Sequence, residues 1–136
     1  MILLKLDYMI RYWKQKHFQP KDLIIILGNY LDIFLDIKKK IFDFKKDILV
    51  DRKIILFLKK NNISLICLAG FMKILSKSFI KNFKGKILNI HPSLLPKFKG
   101  LNTHQRVIDN NEKFSGCTVH FVNSKLDSGK IVLQKK

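Results

Sequence analysis

Short apolar runs alternate with amphipathic stretches along this chain, which predicts an α/β fold on a mostly parallel sheet with right-handed crossovers. Three observations carry that prediction. Leu23–Leu27 (LIIIL) and residues 63–69 (ISLICLA) are continuous apolar runs, each closed by a glycine, as strands buried on both faces are. Between them, residues 48–60 (ILVDRKIILFLKK) place Leu49, Ile54, Leu56 and Leu58 on a helical stripe. The 136 residues suffice for one core but not comfortably for two, so a single domain over residues 1–136 is expected.

The other elements follow by the same reasoning. Residues 2–17 read as a helix through Leu3, Leu6, Ile10 and Trp13, broken by Pro20. Residues 40–44 read as a strand. Residues 74–83 (ILSKSFIKNF) read as a short helix stopped at Gly85, and residues 87–90 (ILNI) as the strand after it. Residues 103–111 read as helical, residues 117–123 (CTVHFVN) alternate like a strand, and residues 131–134 form one more.

Composition excludes several classes. An apolar fraction of 47% and a mean hydropathy of +0.02 are too high for wholesale disorder. No apolar run reaches the roughly 18 residues that span a bilayer, so no membrane partner is expected. The N-terminal stretch mixes Lys, Asp and Arg into its apolar residues and makes a poor signal peptide, which predicts a cytoplasmic protein. Cys67 and Cys117 lack a paired spacing and fit small buried residues of a reducing compartment. The formal charge of +17 would suit a nucleic-acid ligand, yet 24 of the 27 cations are Lys, whereas guanidinium groups dominate specific readout. Lys, Ile, Asn and Phe share A/T-rich codons, so base composition accounts for the charge as well, and no specific nucleic-acid partner is expected.

Ligands of such sheets bind beyond the carboxyl ends of the strands. The most informative of these ends is Asn89-Ile90-His91-Pro92-Ser93. Strand residues two apart share a face, so Asn89 and His91 can enter one cleft while Ile90 meets the core. An amide donor beside an imidazole suits acyl-type transfer: one polarises a carbonyl and holds its oxyanion, the other moves a proton. Ser93 has no visible acid–base partner and is not read as a nucleophile. No His or Cys spacing calls for a metal.

Residues 85–108 (GKILNIHPSLLPKFKGLNTHQRVI) closely resemble the signature of the phosphoribosylglycinamide formyltransferase family. The resemblance extends to residues 65–76 (LICLAGFMKILS) and 116–134 (GCTVHFVNSKLDSGKIVLQ), and the blocks together cover about half the chain. It implies a Rossmann-like formyltransferase fold and transfer of a formyl group from 10-formyltetrahydrofolate, a co-substrate, to the amine of glycinamide ribonucleotide in purine biosynthesis. It also implies that Asn89, His91 and Asp127 are the catalytic trio. Met72, Lys73, Ile74, Leu75 and Asn89 are implied on the folate side, while His104 and His120 support the site or pack. Asp127 otherwise reads as a turn residue of Leu-Asp-Ser-Gly.

The family's first strand, with its Ser-Gly-x-Gly-Ser-Asn loop for the substrate phosphate, has no counterpart here, and Gly28-Asn29-Tyr30 fits the end of a second strand better. The domain is therefore expected to be incomplete at both termini, with weakened ribonucleotide binding. Positions 45–47 (Lys-Lys-Asp) fall where an Arg often contacts folate. Two alternatives stand beside this reading. One is a methionyl-tRNA formyltransferase-like enzyme, disfavoured by Pro92 and by the run from Leu101 to His104. The other is a basic, non-catalytic remnant that binds nucleotide or nucleic acid.

Overall fold

The computed structural model describes residues 23–27 and 48–136. The helix expected over residues 2–17, the strand over 40–44, and positions 28–30 and 45–47 lie outside the described residues. Five strands form one sheet in chain order: β1 (Leu23–Leu27), β2 (Leu65–Ala69), β3 (Lys86–His91), β4 (Cys117–Phe121) and β5 (Ile131–Lys135). β1, β2 and β3 pair in parallel, and β4 is antiparallel to both β3 and β5. Four strands thus share one direction, and β4 alone is reversed.

β2 is buried at all five positions, as its unbroken apolar sequence requires. Ile66 and Leu68 meet Ile54 and Leu58 of helix α1 (Ile48–Lys60) and Phe79 of helix α2 (Lys77–Asn82) in one core cluster. Leu65, Cys67 and Ala69 alternate to the opposite face, where Leu88 and Val119 join them. Each fully buried aliphatic side chain here contributes about 1.5–3 kcal/mol relative to exposure. Burial also pushes the Cys67 thiol up to about 12, so it stays protonated and inert. Asp51 of α1 accepts a hydrogen bond from the Ser76 hydroxyl and ties the two helices together.

Helix α2 is shorter than the apolar stripe predicts. Ser76 has extended backbone, and its Oγ accepts from Phe79 N at 2.9 Å, so it is the N-cap. Residues 72–75 therefore run as an irregular segment between β2 and α2 instead of opening the helix. Helix α3 (Thr103–Asp109) likewise ends before residue 111, because Asn111 has φ 50° and leaves the helical region. No helix among the described residues is long and apolar enough to cross a membrane.

Candidate active site

A cleft of about 560 Å³ opens at the carboxyl ends of β2 and β3, where the topology predicts a ligand site. Asn89 and His91 line it from β3, and Ile90 turns to the core cluster of the opposite face. Antiparallel pairing sets His120 of β4 directly opposite Asn89, and Asn89 Nδ2 lies 3.3 Å from His120 Nε2. Asp127, in the loop between β4 and β5, reaches between the two imidazoles. Its Oδ2 is 3.4 Å from His91 Nδ1, and its Oδ1 is 3.5 Å from His120 Nε2. The structure thus gathers Asn89, His91 and Asp127 on one wall and adds His120 to them.

Local backbone explains why Asp127 reaches that position. The residue has φ 44°, a left-handed conformation that a short polar side chain tolerates better than most. Two residues on, a Cβ at Gly129 would lie 1.6 Å from the Phe121 carbonyl oxygen, so only glycine lets the loop return beside β4. Across the cleft mouth, Gly100 (φ 83°) donates its N–H to Asp127 Oδ2 at 2.8 Å, and Lys99 Nζ donates to Ser128 Oγ at 2.6 Å. Two loops distant in sequence are latched by these contacts.

The electrostatics follow from the partners. Burial alone would raise the Asp127 carboxyl. The hydrogen bond that His120 donates when its ring is charged, the Gly100 N–H and the charges of His91 and of protonated His120 outweigh it and hold the group below the usual carboxylate value. His91 is 4% exposed, and its Nε2 lies 2.8 Å from the Phe98 carbonyl oxygen. A carbonyl only accepts, so Nε2 carries a proton and Nδ1, facing Asp127, is the nitrogen that gains or loses one. With both nitrogens protonated every contact of the ring is satisfied.

The remaining predicted residues fall into three groups. Met72 and Ile74 border the cleft with 63% and 68% of their surface exposed, and Lys73 borders it half-buried. Leu75 also reaches the cleft lining, but most of it is buried in the α1–α2 core, which fits a packing role as well. His104 lies exposed on the cleft wall, not packed in the core. Ser93 is fully buried, and its hydroxyl donates to the Lys97 carbonyl at 2.7 Å, which makes it a turn staple. Thr118 Oγ1 donates to Ser93 O and accepts from Leu95 N and Gln134 Nε2, clamping the same loop to β4 and β5. That clamp holds the loop that presents the Phe98 carbonyl to His91. Sequence reasoning missed it, along with the direct contacts of His120. The alternation of CTVHF puts Thr118 and His120 on one face, but only the strand register reveals what they oppose. Among the described residues, no group of three or more His, Cys, Asp or Glu is arranged to hold a metal ion.

An amide, two imidazoles and a carboxylate thus meet at the carboxyl edge of an α/β sheet. Residues 15–136 match the model of the formyl transferase family, and the chain belongs to that family. It is 52% identical over 94 residues to the phosphoribosylglycinamide formyltransferase of Haemophilus influenzae, which covers 69% of this chain and 44% of that protein. It is 48% identical over 92 residues to the human trifunctional purine biosynthetic protein adenosine-3, covering 68% of this chain and 9% of that one. The crystal structure of phosphoribosylglycinamide formyltransferase from Brucella melitensis aligns with a TM-score of 0.61 at 45% identity. It covers 69% of this chain and 50% of its own. The chain thus spans half or less of the length of these relatives.

Proposed function

We propose that this chain transfers a formyl group from 10-formyltetrahydrofolate to the amine of glycinamide ribonucleotide. The observation that carries the reading is the half-buried Asp127 carboxylate held between His91 and His120 beside the Asn89 amide. It occurs in a chain about half identical, over its matched region, to a protein named for this reaction.

The chemistry follows from the residues. The substrate amine attacks the formyl carbon, a C–N bond forms, and negative charge gathers on the formyl oxygen. The Asn89 amide donates a hydrogen bond to that oxygen, and the imidazolium charge of His91 offsets it. Asp127, 3.4 Å from His91 Nδ1, neutralises the imidazolium charge and, through water, accepts the proton released by the attacking amine. Collapse breaks the bond from carbon to N10 of the folate, and N10 takes up a proton, so the balance closes. The cleft and its apolar lip, Met72 and Ile74, suit the flat ring system of a folate co-substrate. No step needs a metal, and both substrates are small molecules.

The test is turnover by the whole chain with 10-formyltetrahydrofolate and two amines, glycinamide ribonucleotide and methionyl-tRNA, the products being read by mass spectrometry. Formylated ribonucleotide is the expected product. Formylation of the tRNA alone, or folate binding with no product on either amine, would overturn the reading.

A further inference from the structure

Asn89 and Asp127 both meet the same nitrogen of His120, and that nitrogen cannot serve both at once. His120 Nδ1 lies 2.9 Å from the Phe121 carbonyl oxygen. The carbonyl only accepts, so Nδ1 is protonated, and Nε2 alone distinguishes the neutral ring from the charged one. In the neutral ring, Nε2 offers a lone pair and accepts from Asn89 Nδ2 at 3.3 Å. In the charged ring, Nε2 donates to Asp127 Oδ1 at 3.5 Å and has nothing left for Asn89 to donate into. The ring is 2% exposed, so solvent is poorly placed to take over either contact.

The surrounding charges bear on which form is held. Asp127 faces Nε2 from the β4–β5 loop. His91 faces the other oxygen of that carboxylate from β3, and Gly100 adds a backbone dipole to the same oxygen. Lys73, His104 and Lys125 line other walls of the cleft. One carboxylate neutralises one imidazolium. With His91 protonated, a second proton on His120 would leave uncompensated positive charge in a buried cluster. An amide nitrogen carries two protons, so donating one to neutral His120 anchors Asn89 and leaves the other for a ligand.

We propose that His120 is a positioning residue that anchors the Asn89 amide nitrogen only while its own ring is neutral, and releases it on protonation. What the anchored amide does for the reaction rests on the formyl-transfer reading; the anchoring itself does not. His91 and His120 then divide the work: the first holds the proton, and the second must remain without one at Nε2.

Nitrogen NMR of the whole chain, with the His120 ring and the Asn89 side-chain amide followed across pH, tests the anchoring without any turnover. At neutral pH, Nδ1 should be protonated and Nε2 not. On acidification the Asn89 amide resonances should move with the midpoint of His120, and in H120Q they should lose that dependence. A ring with its proton on Nε2 at neutral pH, or an Asn89 amide indifferent to His120, overturns the proposal. Kinetics give the second readout. H120A should lower kcat about tenfold, the share of one oriented hydrogen bond, with little change in KM. H120Q, whose Oε1 can accept from Asn89, should restore most of kcat and remove from its pH profile the step that follows the His120 midpoint, leaving that of Asp127. H120Q no better than H120A also contradicts the proposal. If the unaltered chain formylates neither amine, the formyl-transfer reading fails, and the NMR result still decides the role of His120.

Discussion

On the β3–β4 wall of the cleft, Asn89, His91, His120 and Asp127 are each held by a hydrogen bond or charge pair, whereas Met72 and Ile74, after β2, keep most of their surface exposed. Both groups border one cleft. The polar wall is finished before any ligand arrives: its groups are largely buried, so each needs a partner within the protein. The apolar lip makes no such demand, since exposed side chains lose nothing in the free state and gain when a ligand covers them. Substitutions on the wall should therefore alter chemistry and folding together, while those on the lip should alter binding alone.

The largest effect is expected where the wall depends on backbone. Gly129→Ala drives a methyl group into the Phe121 carbonyl, and urea unfolding should show a loss of about 3 kcal/mol or more. A loss below about 0.5 kcal/mol would mean that the Asp127 loop can be held in other ways. Next comes His91→Ala, which removes the imidazole of the proposed reaction centre and should lower turnover roughly 100-fold in steady-state assays. Smaller again is Asp127→Asn. The folded carboxyl lies below its unfolded value of about 4, so the unfolded chain binds the proton more readily. Stability from this group is therefore fully present above about pH 4 and is lost as pH falls through the folded value. The Asn variant should lack that acid-dependent part, read as a shallower fall of unfolding free energy between neutral and acid pH. Smallest for folding is the paired change Met72→Ala and Ile74→Ala. Stability should stay within about 0.5 kcal/mol, and KM for the formyl donor should rise by up to about tenfold. A large stability loss there would erase the contrast between wall and lip.

The two regions were also unequally legible. The core of the sheet could be read directly, because buried residues such as Leu65, Leu68 and Leu88 leave an unbroken apolar trace. Asn89 and His91 could be placed in one cleft by strand alternation alone. The start of α2 could not, since Ile74 and Leu75 continue the helical stripe while Ser76 caps the helix after them. The partners of the wall were hidden for a different reason. His120 opposes Asn89 through register, Gly100 reaches Asp127 across 27 residues, and Gln134 reaches Leu95 across 39. Such long-range hydrogen bonds carry no local pattern, so residue type and spacing do not encode them. The reversal of β4 had only a faint signature, the alternation of CTVHF, which marks a strand but not its direction.

The central claim is that His91 and Asp127 act as one unit in a preorganised wall, and a double-mutant cycle on turnover tests it most directly. With His91→Ala, Asp127→Asn and the combined variant each checked for folding, the combined loss should hardly exceed that of His91→Ala alone, because the imidazolium and the proton-accepting carboxylate serve one step and neither is effective without the other. Losses that multiply across the cycle would show two independent groups and contradict the account.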